Sequence, residues 1–241
     1  MINKLMTLEQ AVAGVRDGMT IMVGGFLATG SPEILMDALV EKGVKHLTVI
    51  ANDGGLDAGQ PAGNFAGKTA RGVGKLLEHH MVDHLIASHI GVNPKINEQI
   101  AEGTLRYTLV PQGTLAEKLR AAAYGLGGVL TPTGVGTPME QEPDELGRPK
   151  KVMEIEGKKF LLELPLYADY SFLRPSLADR FGNYMCAKAT KNFNYVMAGA
   201  STHTIIAPEK LVEVGAVDPD IFQVAGVLVD GIVEGEQRWQ I

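Results

Sequence analysis

Residues 17–32 read DGMTIMVGGFLATGSP in a chain of 241 residues. The apolar run Thr20–Val23 within this stretch predicts a short buried strand, and a glycine-rich loop follows it. Ser31 suits the N-cap of a helix, Pro32 its first position and Glu33 its first turn. A strand, a loop and a helix in this order predict the first unit of an α/β fold.

The same order of elements recurs through the first half of the chain. Further strands are predicted at Leu47–Ala51 and at residues 84–88 and 106–110. Helices are predicted at residues 7–16, 31–43, 93–103 and 114–123, with capping boxes at Thr7 with Gln10 and at Thr114 with Glu117, and a loop at residues 111–113. Strands separated by helices favour a parallel sheet with right-handed crossovers.

The second half has a different pattern. A hairpin is predicted around Glu156 and Gly157, and further strands at residues 169–173, 184–187 and 202–207, with mixed or antiparallel pairing. Residues 139–151 are polar and predict an exposed excursion, in which Glu140, Glu142, Asp144 and Glu145 are solvated. No linker divides the chain. We expect residues 1–241 to form a single α/β domain: an open, mainly parallel sheet with flanking helices, and mixed strands in the C-terminal half.

Charge and composition exclude several classes of partner. The formal net charge is −6 without a long run of either sign, whereas binding to nucleic acid needs a clustered positive field. No apolar run approaches the roughly 20 residues of a membrane span, and no signal-peptide core is found. Cys186 is the only cysteine, which fits a reducing compartment. We therefore expect a cytoplasmic protein with neither nucleic acid nor membrane as partner.

The glycine-rich loop matches neither of the common phosphate loops. Gly25 and Gly30 have P-loop spacing, but Ser31 and Pro32 stand where the phosphate-binding lysine would follow. The segment also lacks the G-x-G-x-x-G fingerprint of dinucleotide sites. Two interpretations stay open. The glycines form a tight turn only, or they let a ligand approach the backbone, where amides at a helix start favour an anion.

The sequence of residues 17–32 resembles the signature of the family I CoA-transferases. The matching residues are Asp17, Gly18, Ile21, Met22, Val23, Gly24, Gly25, Phe26, Gly30 and Pro32. Other segments resemble the α half of that family: LTVIAND at 47–53, SHIGVNP at 88–94, LVPQGTLA at 109–116, GLGGVLTPTGVG at 125–136 and KNFN at 191–194. The resemblance covers nearly the whole chain and is strongest to the acetate, acetoacetate and 3-oxoacid branch.

This resemblance implies a reaction and a partner. Such enzymes move CoA from an acyl-CoA to a free carboxylate by ping-pong kinetics through a glutamyl-CoA thioester. The glutamate stands in a Glu-Asn-Gly context in the β half, and that tripeptide does not occur here. The resemblance therefore implies a β subunit that carries the catalytic glutamate, in a heterotetramer. It implies acyl-CoA and a short carboxylic acid as substrates, with CoA as part of the substrate and no tightly bound cofactor or metal.

The resemblance also assigns site residues to the α half. Asn52 matches an asparagine that helps form the oxyanion hole, and Gln112 matches a glutamine near the carboxylates. The residues expected against CoA are Gly24, Gly25, Phe26, Leu27, Ala28, Thr29 and Gly30. The strand predictions support this grouping, because Gly24, Asn52 and Gln112 each follow a predicted parallel strand. The carboxyl ends of such strands share the edge where ligands bind.

Other residues that could carry chemistry have simpler interpretations. His79, His80, His84 and His89 cluster, but no carboxylate or third ligand completes a zinc pattern, so no metal site is predicted. Cys186 is expected to be a small core residue. Residues 57–84 exceed the corresponding segment of the family and could alter substrate choice or the subunit contact; their Gly and Pro residues are Gly59, Pro61, Gly63, Gly67, Gly72 and Gly74.

Two other functions remain open. An acyl-CoA hydrolase would use water in place of the acceptor acid and release free CoA, which a thiol assay detects. A non-catalytic sensor on the related sugar-phosphate isomerase fold would bind a sugar phosphate and need no partner subunit.

Overall fold

A computed structural model of the chain describes residues 3–58 and 70–235. Its largest layer is a seven-stranded sheet in which every paired strand runs parallel to its neighbour. In sheet order the strands are β13 (Gly231–Ile232), β11 (Ser201–Ile206), β8 (Ala168–Leu173), β1 (Thr20–Val23), β2 (Leu47–Ala51), β3 (Val82–Ala87) and β4 (Arg106–Leu109). The α/β class predicted from the sequence is confirmed.

Helices connect these strands and cover the sheet. They are α1 (Leu8–Val12), α2 (Glu33–Lys42), α3 (Val73–Glu78), α4 (Pro94–Ala101) and α5 (Gln112–Ala123), with short 3-10 turns at Pro138–Glu140, Lys188–Lys191, Pro219–Ile221 and Gly226–Leu228. Within residues 3–58 and 70–235, no helix combines the length and the apolar character that crossing a membrane requires.

The order of the strands reverses beside β1. The chain continues from β1 through β2 and β3 to β4 on one side, and β8, β11 and β13 follow on the other side. The crevice outside the carboxyl ends of the strands at such a reversal is the usual ligand site of an open α/β sheet. The fold therefore directs attention to the loops that follow β1, β2 and β8.

Alternate residues of the central strands supply two separate cores. Ile21 and Val23 pack with helices α1, α2 and α3 on one face, whereas Met22 and Ile50 pack with α5 on the other face. Strand β1 is thus buried on both faces and paired along both edges. This explains why its segment is a continuous apolar run rather than an alternating pattern.

The second half of the chain contains the mixed pairing that the sequence predicts, but in two small sheets. The predicted hairpin is confirmed: β6 (Lys151–Ile155) and β7 (Lys158–Glu163) are antiparallel, and β5 (Val129–Thr131) pairs with β7. Glu156 and Gly157 at its tip have φ of 49° and 74°, the left-handed conformations of a two-residue hairpin turn. The other small sheet orders β10 (Tyr184–Met185), β9 (Leu177–Asp179) and β12 (Leu211–Val212).

Strands β8 and β11 differ from the expected pairing. Both join the large sheet in parallel orientation. The reason is the length of residues 174–200 between them, which is sufficient to carry the chain back to the starting end of the sheet.

Two helix starts also differ from the prediction. Helix α2 has Pro32 rather than Ser31 at its N-cap, and no side chain caps it. Helix α5 begins at Gln112, directly after Pro111, and not with a capping box at Thr114. At both starts the residue before the helix is a proline, whose φ is restricted by its ring, −51° at Pro111, and which has no side-chain oxygen to cap the helix.

The predicted first helix begins where expected and ends early. The capping box is confirmed, since Thr7 and Gln10 exchange hydrogen bonds between side chain and backbone. Helix α1 ends at Val12 instead of continuing to residue 16. Gly14 lies against Tyr170, where an added Cβ would stand 2.1 Å from the hydroxyl oxygen, and glycine is a poor helix former.

The predicted solvation of residues 139–151 is wrong for Asp144 and Glu145, which are only 8% and 5% exposed. Glu145 Oε1 lies 3.1 Å from Nζ of Lys118, a fully buried residue of α5. The same ammonium group donates a 2.8 Å hydrogen bond to Glu163 Oε2. A buried cation needs opposite charge close by, and this need draws the acidic loop onto the helix.

Substitution of Lys118 tests this ionic cluster. Lys118→Met should lower the free energy of unfolding by about 3–5 kcal/mol, because two buried carboxylates lose the cation between them. Urea unfolding followed by circular dichroism measures the change. Lys95→Met removes an exposed pair with Glu98 and should leave the midpoint nearly unchanged. Equal midpoints for the two variants would show that the buried cluster does not stabilise the fold.

Cys186 is buried in the core that contains Met22 and Ile50, which confirms its prediction as a core residue. Burial raises the pKa of its thiol from 9.0 to about 12. Since the folded pKa is the higher one, the stability that the neutral thiol contributes is present below pH 9 and is lost as the pH rises further. Ellman's reagent at pH 8 should leave the native protein unlabelled and label the denatured chain fully; rapid native labelling would contradict this burial.

Candidate active site

The loop after β1 forms a tight turn at the carboxyl edge of the sheet. Phe26 and Thr29 exchange backbone hydrogen bonds of 3.0 and 2.8 Å. Leu27 and Ala28 between them have φ of 45° and 64°. A non-glycine residue in this left-handed region costs about 1–3 kcal/mol. Such strain persists only where neighbouring structure holds it, and it concentrates at functional sites.

Three side chains from other loops hold the turn. Asp53 Oδ2 accepts a hydrogen bond from the Leu27 amide at 2.9 Å. Asn192 Nδ2 donates to the Thr29 carbonyl at 2.9 Å. Asn194 Nδ2 donates to the carbonyl of Gly30, also at 2.9 Å. The turn is therefore fixed from the side of β2 and from the segment that follows β10.

The glycines of this loop make room for side chains of the same chain. A Cβ on Gly24 would stand 2.1 Å from Asn194 Oδ1, and one on Gly30 would stand 2.8 Å from Asn194 Nδ2. A Cβ on Gly25 would stand 2.2 Å from Ser31 Oγ. Of the two interpretations that the sequence leaves open, packing within the chain is thus sufficient to explain all three glycines.

Asn194 joins the loops on the β8 side of the crevice. It is fully buried, and its Oδ1 accepts from the backbone amide of Arg174, the residue after β8, at 2.9 Å. Its backbone carbonyl accepts from the Tyr184 hydroxyl at 2.6 Å. The sequence does not reveal this role of Asn194 in the KNFN segment, because its glycine partners lie far away along the chain.

Asn52 and Gln112 are in direct contact. Asn52, the residue after β2, is 2% exposed, and its Oδ1 accepts a 2.5 Å hydrogen bond from Nε2 of Gln112. Gln112 is exposed and is the first residue of α5. The structure therefore brings both predicted amides and the turn at residues 24–30 to one edge of the sheet.

Two further residues complete this network. Asp53 accepts from Asn52 Nδ2 at 2.7 Å, and Ser88 Oγ lies 3.2 Å from Asn52 Oδ1. Sequence analysis missed both. The available signal was a carboxylate directly after Asn52 and a hydroxyl at the end of the neighbouring strand β3, two positions that also fall at the ligand edge of a parallel sheet.

The side chains around Asn52 offer neutral hydrogen-bonding groups. Asn52, Gln112 and Ser88 are neutral, and the carboxylate of Asp53 is held by N–H groups. Gln112 lies at the N-terminus of α5, where the helix dipole adds partial positive charge. Such an arrangement can stabilise a developing oxyanion, because amide donors supply hydrogen bonds without titrating.

Three members of the histidine cluster lie away from this edge, whereas His89 directly follows Ser88 and its backbone forms a parallel β-bridge with that of Asp53. His84 Nδ1 lies 3.0 Å from an Arg106 guanidinium nitrogen, and its Nε2 lies 2.8 Å from Thr108 Oγ1. Burial, and then the charge of Arg106, lower the pKa of His84 to about 4 and keep the ring neutral. In the part of the chain that the structure describes, no three His, Cys, Asp or Glu side chains are placed to hold a metal.

The long segment at residues 57–84 is described only in part. Gly59, Pro61, Gly63 and Gly67 lie outside the described residues. Gly72 has φ of 57°, and a Cβ on Gly74 would stand 2.1 Å from the carbonyl oxygen of Leu56. The part of this segment around Gly74 therefore packs closely against Leu56, in the loop that also carries Asp53.

Comparison with known proteins gives consistent results. The family model described as Coenzyme A transferase matches residues 5–235. The chain is 41% identical over 237 residues to acetate CoA-transferase subunit alpha of Escherichia coli K12, covering 98% of this chain and 99% of that protein. It is 40% identical over 234 residues to the acetoacetyl-CoA:acetate/butyrate CoA transferase alpha subunit of Clostridium acetobutylicum, covering 97% and 99%.

A solved structure shares the fold. The acyl-CoA transferase YdiF of Escherichia coli O157:H7 superposes with a TM-score of 0.78 at 23% identity. The match covers 98% of this chain and 48% of YdiF, so the chain spans about half of that protein's length. The family model and the relatives of similar length show that the chain belongs to the coenzyme A transferase family, among the α subunits of the acetate and 3-ketoacid enzymes.

Proposed function

We propose that this chain is the α subunit of a heteromeric CoA-transferase that moves CoA between a short-chain acyl-CoA and a carboxylic acid. Acetyl-, butyryl- and acetoacetyl-CoA are the acyl donors that the names of its relatives favour. The observation that carries the proposal is the contact of Asn52 with Gln112 beside the strained turn at residues 24–30. In this proposal CoA is a substrate and not a tightly bound cofactor, and the complex acts in the cytoplasm.

The reaction divides between two subunits. A glutamate of the β subunit attacks the thioester carbonyl, the carbon–sulfur bond breaks, and CoA leaves as a thiolate. The departure of the thiolate from the tetrahedral adduct is the step that leaves a mixed anhydride between the glutamate and the acyl group. The thiolate then attacks the glutamyl carbonyl of the anhydride, which releases the first acid and forms glutamyl-CoA. The second acid reverses these steps. No Glu-Asn-Gly occurs among the 241 residues, which supports a nucleophile from the partner.

The α subunit supplies the environment of this chemistry. One Nδ2 hydrogen of Asn52 is donated to Asp53, and the second is the hydrogen that can reach an oxyanion. In this scheme Gln112, which is exposed at the start of α5, contacts the acid. In this scheme the turn at residues 24–30 forms one wall for CoA, with Phe26 exposed at the base of the turn.

Co-purification of the chain with its β subunit tests the proposal. The candidate is the product of a neighbouring reading frame that contains Glu-Asn-Gly. The complex should transfer CoA from acetoacetyl-CoA to acetate, whereas either subunit alone should not. Release of free thiol in place of a new acyl-CoA would identify a hydrolase, and a sugar-phosphate sensor would give neither product. Isolation of a glutamyl-CoA adduct on this chain would contradict the assignment of the nucleophilic glutamate to the β subunit.

Asn52→Ala should lower turnover of the complex by about 10²–10³-fold, since one oxyanion donor is lost. Steady-state kinetics measure this loss, and size-exclusion chromatography should show unchanged assembly. Gln99→Ala is the matched control, because Gln99 is also 2% exposed but donates only to the Leu77 carbonyl, away from the site. Turnover that falls equally in both variants would show that Asn52 acts through stability alone.

A further inference from the structure

Asp53 is a buried carboxylate on which two parts of the site meet. It is 5% exposed. Oδ2 accepts from the Leu27 amide at 2.9 Å and from Asn52 Nδ2 at 2.7 Å, and Oδ1 accepts from the Gly55 amide at 2.8 Å. All three partners are N–H donors, so both oxygens act as acceptors, as in the ionised group. Among the residues that the structure describes, no ion pair involves this carboxylate.

The Asp53 carboxylate fixes the orientation of the Asn52 amide, with Nδ2 towards Asp53 and Oδ1 towards Gln112. A side-chain amide can rotate by half a turn and exchange its oxygen and nitrogen. In the rotated state, Asn52 Oδ1 would face the Asp53 oxygens, and its NH₂ group would face the NH₂ group of Gln112. The contact with Asp53 would be repulsive, and the contact with Gln112 would be repulsive unless the Gln112 amide rotated as well. With Asp53 in place, Asn52 Oδ1 accepts from Gln112 and its remaining Nδ2 hydrogen has a fixed direction.

The hydrogen bonds form a directed chain. A carboxylate that accepts from an amide N–H increases the negative charge on the oxygen of that amide, which then accepts more strongly from the next donor. The order here is Asp53, then Asn52, then Gln112. The charge of Asp53 therefore strengthens the 2.5 Å contact that joins the ends of β2 and β4.

The same carboxylate oxygen holds the strained turn. Leu27, whose φ is 45°, donates its amide hydrogen to the oxygen that also accepts from Asn52. A shift of the turn would move this shared acceptor, and a shift of the acceptor would release the Asn52 amide. The position of the loop after β1 and the orientation of the amide after β2 are thus coupled through one atom.

We propose that Asp53 is a positioning residue of the transferase site, which sets the orientation of the Asn52 amide and locks the turn at Leu27. The inference rests on the proposed function and deepens it. Asp53 touches no substrate in this scheme and acts through its two neighbours. Its removal should therefore impair the chemical step more than the binding of acyl-CoA.

Asp179 offers a matched control within the same chain. It is 2% exposed and also accepts three hydrogen bonds, from the amides of Phe181 and Asn183 and from Asn183 Nδ2. Its partners belong to the turn between β9 and β10, and none of them contacts Asn52, Gln112 or the loop at residues 24–30. Asp53→Asn and Asp179→Asn thus each remove one buried carboxylate that has two backbone donors and one side-chain amide donor.

The experiment compares the two variants in the purified α–β complex. Asp53→Asn should lower kcat by about 10- to 100-fold, the effect of a small misplacement of reacting groups, and change KM for acetoacetyl-CoA by less than about threefold. Asp179→Asn should keep kcat within about twofold of wild type although its thermal midpoint falls similarly. Equal kcat in the two variants, or a change confined to KM, would overturn the inference.

Two further measurements separate this inference from the proposed function. The double variant Asp53→Asn/Asn52→Ala should have nearly the same kcat as Asn52→Ala alone. If its loss of kcat instead equals the product of the two single losses, Asp53 does not act through Asn52. Hydrogen exchange in the peptides that contain Leu27 and Gly55 should be faster in Asp53→Asn than in Asp179→Asn. If wild type transfers no CoA, the proposed function fails, and this exchange decides the structural role: unchanged exchange would overturn it.

Discussion

The hydrogen-bond ladder along both edges of β1 determines where the site lies. On one side Val23 is level with Ala51 of β2, and on the other side it is level with Phe172 of β8. Because all three strands are parallel and in this register, the residues that follow them emerge side by side. A shift of β1 by one residue would turn its apolar side chains to the wrong cores and would also separate Gly24 from Asn52. The pairing of β1 along both edges, which fixes this register, therefore also aligns the site.

The strained turn after β1 is held by an asparagine on one side and an aspartate on the other. Asn194 fills the space beside Gly24 and Gly30 and ties the turn to the end of β8. Asp53 binds the Leu27 amide and ties the turn to the end of β2. Each contact is an ordinary hydrogen bond of about 1 kcal/mol or somewhat more where a charge takes part. These contacts offset part of the cost of the two left-handed residues.

Local patterns in the sequence predicted the parts of this structure that depend on neighbouring residues. Strands β1 and β2 were predicted with their observed bounds, because each is a short apolar run between turn residues. The meeting of Asn52 with Gln112 followed from the rule that parallel strands share a carboxyl edge. Helix α3 was missed because its six residues include a glycine and lack a capping residue. The burial of Glu145 and the fit of Asn194 against Gly24 depend on partners far away in sequence, which no local pattern contains.

The fold alone does not determine the chemistry, because function depends on the residues of the site and not on the architecture that carries them. What distinguishes the edge is the way its charge is arranged. The carboxylate of Asp53 is enclosed by three N–H donors, and the Asn52 amide stands between it and Gln112. The outermost group of this series of hydrogen bonds is therefore the neutral amide of Gln112, although the series begins at the carboxylate of Asp53. If a partner supplies a carboxylate nucleophile, as proposed, such an edge can orient its dipoles towards a developing oxyanion without placing a second exposed carboxylate beside the attacking one.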